Sequence, residues 1–306
     1  MAFDPLLHRA SAPEEDVIAG LGSRGAGSLL RDRAFILCLI LLTSVGLVVL
    51  GVLLVTTGSD GIPQINADFI NNFPSAFPER AGIQSAIWGT LWLMGVVAVV
   101  IIPLGVATAL YLEEYADRSK WWNRAIEVNI QNLAAVPSIV YGILGLAYIV
   151  RGPLSLGRTV IAGGLTLALV VLPVVIITSR EAIRAVPPSI KEGALALGAT
   201  HWQAIWRQIL PSSIPGIATG VILSLSRAIG ETAPLILVGA ATFVAFNPTG
   251  LDSPFTALPL QIFSWVSQPN SDFQAKAAAA IVVLLLILVL LNAVAIWLRS
   301  RFQRRW

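Results

Sequence analysis

The chain has 306 residues, of which 56% are hydrophobic and 12% are charged, and its formal net charge is +3. Soluble domains carry roughly 25% charged residues, so this composition excludes an ordinary soluble protein and indicates a polytopic helical membrane protein. The basic residues stand beside apolar runs, which argues against a nucleic-acid-binding face. One cysteine, Cys38, and two distant histidines provide neither an internal disulfide nor metal-ligand spacing.

Six apolar segments follow a polar N-terminal stretch. Each is about as long as the roughly 20 residues that a helix needs to cross a bilayer core of about 30 Å. Helices satisfy their backbone groups internally, as lipid requires. We therefore predict an all-α integral membrane protein with six transmembrane helices in residues 34–298, an N-terminal tail of residues 1–33 and a basic C-terminal tail of residues 299–306. The predicted spans are residues 34–56, 86–112, 128–150, 159–179, 212–239 and 277–298.

The distribution of Lys and Arg predicts the orientation. Each successive span carries the chain to the other side of the membrane, so residues 1–33, 113–127, 180–211 and 299–306 are expected on the same side. These four stretches hold fifteen of the 20 basic residues. Inner loops are enriched in Lys and Arg, so we expect both termini to be cytoplasmic. Four basic residues fall on the opposite side, namely Arg80, Arg151, Arg158 and Lys276.

The longest outer connection, residues 240–276, contains an apolar stretch at 254–268 that is too short to span. We interpret it as an interfacial or re-entrant segment. No clean repeat of three plus three helices is visible, which is mild evidence against an inverted-repeat secondary transporter.

The inner connection 180–211 contains the signals of two short helices. A Pro-Pro pair ends the fourth helix, and Ser189 with Glu192 has the spacing of a capping box. Gly198 is expected to break the first short helix, Thr200 to cap a second, and Pro211 to end it. This element is either an amphipathic hairpin on the membrane surface or a docking element for a cytoplasmic partner.

The fifth apolar segment contains two ions, Arg227 and Glu231, four residues apart and so on one helix face. A charge at mid-bilayer costs about 2.5–3.5 kcal/mol on insertion scales. Arg before Glu is the weaker order for a helical ion pair, whereas the planar guanidinium suits bidentate contact with phosphate oxygens. The pair is either part of a substrate path or an interhelical salt bridge that fixes packing.

Other polar groups near the spans have ordinary interpretations. The amides of Asn129, Gln131 and Asn132 are expected to make interhelical hydrogen bonds, and Glu113 and Glu114 to form a solvated helix end. Three of the prolines within spans either kink their helices or are tolerated there, and the sequence does not decide between these outcomes. They are Pro103, Pro137 and Pro173.

Part of the inner connection resembles the EAA motif of ABC-importer permeases. The resemblance implies that the loop at residues 187–211, here named the coupling loop, forms the helix that sits in a cleft of an ATPase subunit. Gly193 stands where the family usually has a second Ala, and Gln208 replaces an aliphatic residue. The matching residues are Glu192, Gly193 and Ala194, then Gly198, Ala199 and Thr200, and finally Leu210 and Pro211.

Three further stretches are similar to phosphate-importer permeases, and nearer to the PstA type than to its PstC partner. They are SRAIGETAPL at residues 226–235, NLAAVPSIVYG at 132–142 and YLEEY at 111–115. The resemblance covers about residues 84–240. It implies a type I ABC importer permease in the plasma (inner) membrane of a prokaryote, which moves inorganic phosphate by alternating access, with Arg227 and Glu231 in its path.

The sequence contains no G-x-x-x-x-G-K-[ST] motif, so ATP and Mg are expected on another chain and no cofactor on this one. One Arg–Glu pair makes at most half of a pathway, which implies a second permease subunit. The resemblance supplies the partners: a PstC-like permease subunit, two PstB-like ATPase subunits and a PstS-like phosphate-binding protein.

Three alternatives stay open at this point. An ion-coupled secondary transporter or channel could use Arg227 and Glu231 as a relay. A membrane enzyme could use Glu231 as a catalytic acid, although no second catalytic group accompanies it within the spans. An ABC permease for another oxyanion would share most of the pattern, and physics alone does not separate phosphate from its relatives.

Overall fold

The computed structural model describes residues 26–117, 119–240 and 243–302, and the regular structure within these ranges is helical. The chain divides into two units, residues 1–56 and 57–306. The first unit, described from residue 26 onward, consists of most of helix α1 (Ala26–Gly61). Its side chains from residue 31 to residue 56 are exposed within this chain, and a helix that is apolar all round suits lipid or another chain. Most of the predicted N-terminal tail, residues 1–25, lies outside the described residues.

The second unit holds the remaining helices. Counted over the described residues of both units, five runs are long and apolar enough to cross a membrane: Arg31–Gln64, Gln84–Tyr115, Val160–Arg184, His201–Gly230 and Ser271–Trp297. The same residues include three π-helical turns that prolong helices, at Tyr111–Tyr115, Gly145–Val150 and Ile205–Ile209. The helices are α2 (Ala67–Asn71), α3 (Gln84–Leu110), α4 (Trp121–Ala135), α5 (Ser138–Leu144), α6 (Val160–Arg184), α7 (Pro188–Ala196), α8 (His201–Ala204), α9 (Leu210–Gly230), α10 (Ala233–Val238), α11 (Leu258–Val266) and α12 (Ser271–Phe302).

The core of this unit is built on α6, which packs against α3 on one side and α9 on another. Small residues allow these approaches, as is usual between membrane helices. A Cβ added at Gly164 would lie 2.5 Å from Cγ1 of Val96 on α3, and one at Gly220 of α9 would collide with the hydroxyl of Thr178. The three helices therefore form a close-packed centre that fixes the functional side chains at their ends.

The third predicted span is broken rather than straight. Its two halves, Trp121–Ala135 and Ser138–Val150, meet at an angle of 105°. Val136 is extended, as a residue before proline prefers, and Pro137 supplies no backbone donor to continue the ladder. The Tyr141 hydroxyl donates to the Leu133 carbonyl at 2.8 Å across the break. By contrast, Pro103 and Pro173 lie inside α3 and α6.

The fifth predicted span also differs from expectation at both ends. The helix is continuous from His201 to Gly230, so the prediction that Pro211 ends a separate short helix is wrong. The π turn at Ile205–Ile209 bonds residues five apart, and its last bond runs from the Leu210 N–H to the Ile205 carbonyl. Pro211 follows directly and has no N–H to donate to the helix, and the helix nevertheless continues through it to Gly230. The apolar segment breaks after Gly230 and resumes as α10.

The connection at residues 240–276 contributes a short helix, which confirms that its apolar stretch does not span. Helix α11 has nine residues and packs against α12 and α3, with Leu258, Leu260 and Trp265 buried. The Leu258 N–H donates to Thr90 Oγ1 at 2.9 Å. This bond ties the start of α11 to the first turns of α3.

Candidate functional site

The coupling loop begins differently from the prediction. Helix α7 starts at Pro188 with Pro187 as its N-cap residue, so the expected capping box of Ser189 and Glu192 is wrong. A proline at the first helical position has a fixed φ near the helical value and no N–H that needs a cap. Ser189 is therefore already inside the helix, and Glu192 lies on its exposed side.

The break between the two loop helices is confirmed. Gly198 has φ of +84°, a left-handed conformation that strains any residue with a side chain. Thr200 then caps α8, because its hydroxyl accepts from the Gln203 N–H at 3.3 Å. The Gln203 side chain accepts from the Thr200 N–H at 2.9 Å, which completes a capping box that the sequence analysis had missed.

The remaining motif residues surround this turn. The Ala199 N–H donates to the Ala194 carbonyl at 3.1 Å and so closes the end of α7. Gly193 is exposed, and apart from its chain neighbours and its own helix backbone no described atom lies within 4 Å of the place where its Cβ would be. An alanine would therefore fit there within this chain. Leu210 and Pro211 lie farther along, at the start of α9.

The exposed surface of the coupling loop is apolar. Leu197 is 91% exposed, and Trp202 and Trp206 are 58% and 47% exposed. Their indole rings pack together at a centroid distance of 5.1 Å. Large exposed apolar groups of this kind mark interaction surfaces, so the loop presents a face that another protein or the membrane surface can cover.

The structure brings Arg227 and Glu231 together at the end of α9. Arg227 lies in the last helical turn, where the helix dipole favours a cation. Glu231 follows the helix in an extended conformation, and its Oε1 lies 3.3 Å from Arg227 Nε. The side chains are 51% and 18% exposed. Among the described residues, Glu231 is the carboxylate within salt-bridge distance of Arg227, so this pair does not join two packed helices.

Neighbouring contacts fix the orientation of this helix end. Ser226 donates to Asn292 Oδ1 at 2.9 Å and ties α9 to α12. After the break, α10 packs against α5, and a Cβ at Gly142 would lie only 2.7 Å from the Cα of Pro234. The two broken spans therefore pack together through the short helices that follow their breaks.

A second ion cluster, which the sequence did not predict, lies at the C-terminal end of α6. The buried Arg180 donates from Nε to Glu113 and from Nη2 to Glu127, both at 2.8 Å. Arg184, one turn on, donates to Glu113 at 2.7 Å. The Glu113 side chain is only 5% exposed, so the prediction of a solvated helix end is wrong. The sequence signal for this cluster was a pair of arginines four residues apart at one span end together with a Glu-Glu pair at another span end.

Glu114 is also withdrawn from solvent, with a side chain that is 10% exposed and bonded to Lys191 of the coupling loop. Asn129, which was expected to bond another helix, donates instead to the Ala125 carbonyl within α4. The polar groups at this side of the unit therefore serve the connection between spans and loop.

Comparison with known proteins identifies the family. The family described as "Binding-protein-dependent transport system inner membrane component" matches residues 101–306. The "Phosphate transport system permease protein PstA" of Yersinia pestis is 33% identical over 241 residues, which is 79% of each chain. The "Probable ABC transporter permease protein YqgI" of Bacillus subtilis is 34% identical over 67% of this chain and 69% of its own. "PstA 1" of Mycobacterium tuberculosis is 36% identical over 63% of this chain and 62% of its own.

Two solved structures share the fold. One is a bacterial alginate ABC transporter in complex with an alginate-loaded periplasmic protein. The superposition covers 89% of this chain and 96% of the matched chain, with a TM-score of 0.62 and 19% identity. The inward-facing MetNI methionine ABC transporter covers 72% and 95%, with a TM-score of 0.57 and 19% identity. This chain belongs to the family of binding-protein-dependent transport system inner membrane components, and it is a multi-pass permease subunit of an ABC importer in the inner membrane.

Proposed function

We propose that this chain is the PstA-like half of an ATP-driven importer of inorganic phosphate. A phosphate transport permease is similar to it over 79% of both chains, and one arginine stands within a span where anions would have to pass. The proposal includes a PstC-like permease as the other half, two PstB-like ATPases and a PstS-like phosphate-binding protein. Both termini and the coupling loop are cytoplasmic in this arrangement.

The observation that carries the proposal is the exposure of Arg227. Half of its side chain is uncovered by this chain, and an arginine that faced lipid there would cost about 2.5–3.5 kcal/mol or more. We infer that it faces a water-filled path or the partner permease. Its contact with Glu231 is long at 3.3 Å, and its guanidinium keeps donors for the bidentate contact that phosphate favours.

When phosphate lies next to Arg227, the Glu231 carboxylate has one of two roles. Its carboxylate can hold Arg227 in place, or it can accept a hydrogen bond from a protonated phosphate. Its extended backbone at the break between α9 and α10 supports this placement, because discontinuous membrane helices often surround substrate sites.

The continuous helix from His201 to Gly230 supports a mechanical route for alternating access. Trp202 and Trp206 lie on the exposed face of the coupling loop, and Arg227 lies about 40 Å from His201 along the same helix at 1.5 Å per residue. A displacement of the loop by ATPase closure would therefore be transmitted to the Arg227 end along one unbroken helix. The ATP itself binds to the partner subunits, and this chain is a transport component.

The test is reconstitution of the permease pair with its ATPase and binding protein in liposomes. We expect uptake of radioactive phosphate that requires ATP and the binding protein, and little uptake of sulfate under the same conditions. Uptake by the permease without ATP would favour an ion-coupled transporter or channel. Efficient sulfate import would favour a permease for another oxyanion.

A further inference from the structure

We infer that Glu114 is a positioning residue, and that with Tyr115 it ties both helices of the coupling loop to the end of the second span. The inference rests on the proposed function, since it concerns how ATP hydrolysis on the loop side reaches the transport path. We name this set of contacts, made by Glu114, Tyr115, Lys191 and His201, the loop tie.

The loop tie is made by two adjacent residues of the π turn that follows α3. Glu114 Oε2 accepts a hydrogen bond from Lys191 Nζ of α7 at 2.6 Å and lies 3.8 Å from His201 Nε2 of α8. The Tyr115 ring meets the His201 imidazole edge-on, with centroids 5.4 Å apart and planes at 86°. One turn of the second span thus contacts the helix on each side of the Gly198 break.

Helix α7 is otherwise loosely held. None of its nine residues, all within the described part of the chain, is buried. A cavity of about 210 Å³ borders it, lined by Ile183, Pro187 and Ile209 as well as by Glu114 and Lys191. Ile190, Lys191 and Ala194 are only half-buried, so packing holds α7 weakly and the Lys191–Glu114 pair has a large share in fixing its position.

The neighbouring residue connects the same turn to the transmembrane core. Glu113, which precedes Glu114 in the same π turn, accepts hydrogen bonds from Arg180 and Arg184 of α6 at 2.8 and 2.7 Å. Arg180 also bonds Glu127 of α4. A displacement of the coupling loop is therefore passed through Glu114 to a turn that is bonded to α6, and from Arg180 of α6 to α4.

The test uses the assembled importer in proteoliposomes and measures phosphate imported per ATP hydrolysed. Glu114→Gln and Lys191→Gln keep size and polarity but remove the ion pair. We expect each to lower this ratio about fivefold, a change that lies within the range of interaction energies between residues in contact. The exchanged pair Glu114→Lys with Lys191→Glu should restore most of the ratio. Glu181→Gln is the matched control, because Glu181 is an exposed carboxylate paired only weakly with Arg184 at 3.4 Å, and it should leave the ratio unchanged.

A second measurement does not depend on the substrate. Hydrogen exchange of the α7 amides in the intact complex should speed up in Glu114→Gln and stay at the wild-type rate in Glu181→Gln. Normal coupling and normal exchange in Glu114→Gln would overturn the inference, as would a charge exchange that restores nothing. If wild-type importer hydrolyses ATP but moves no phosphate, the proposed substrate is wrong, while the exchange experiment still decides on the loop tie.

Discussion

Replacing Arg180 by Met tests whether the ion cluster at the end of α6 is structural. Arg180 is buried and bonds Glu113 and Glu127 at 2.8 Å each. Methionine keeps much of the side-chain length and removes the guanidinium. The change therefore leaves two carboxylates without their shared partner and disturbs packing little.

The expected magnitude follows from the exposure of each partner. Removing one member of a buried pair costs about 3–5 kcal/mol, but Glu113 keeps Arg184 at 2.7 Å and Glu127 is 38% exposed. We therefore expect Arg180→Met to lower the free energy of unfolding by about 3 kcal/mol, the lower end of that range. Arg184→Met removes a 48% exposed cation and should cost about 0–1 kcal/mol.

The assay is SDS-induced unfolding of the purified permease in mixed micelles, followed by circular dichroism. Adding Glu113→Gln to Arg180→Met should recover part of the loss, because it removes a buried charge that has lost one of its two arginine partners. Equal destabilisation by Arg180→Met and Arg184→Met would refute the reasoning, since burial would then have no bearing on the cost.

Two further predictions concern the orientation of the chain in the membrane and the turn in the coupling loop. Single cysteines at Ser189 and Ser253, with Cys38 replaced, should label from opposite sides of the membrane, and labelling from the same side would overturn the proposed orientation. Gly198→Val forces a β-branched residue into φ of +84°, so we expect the importer to hydrolyse ATP without import or to lose its ATPase subunits; normal import by this variant would instead favour an amphipathic hairpin.

Hydropathy located the spans well, but the sequence could not show which of them are continuous. Pro103, Pro137 and Pro173 stand in similar apolar surroundings, yet only Pro137 breaks its helix. At that break the Tyr141 hydroxyl satisfies a backbone carbonyl, a contact eight residues away that local propensity does not encode. Pro211 is the opposite case, because a π turn lets the helix pass through it.

The two functional regions differed in how far they could be predicted. The Gly198 turn and the Thr200 cap follow from local backbone chemistry and were predicted correctly. Arg227 was found because ions are rare in spans, although its exposure depends on how the helices pack. The cluster around Glu113 joins residues 53 to 71 positions apart, and only the tertiary structure shows which span ends meet.

The most direct test of phosphate passage at Arg227 is ATP-driven phosphate uptake by the Arg227→Gln, Glu231→Gln double variant in proteoliposomes. If Arg227 contacts phosphate in transit, Arg227→Gln abolishes import while the complex assembles and hydrolyses ATP, and adding Glu231→Gln restores nothing. Arg227→Lys, which keeps the charge and loses the planar fork, should keep partial activity. Recovery of import in the double variant would contradict the account and assign the pair to structure.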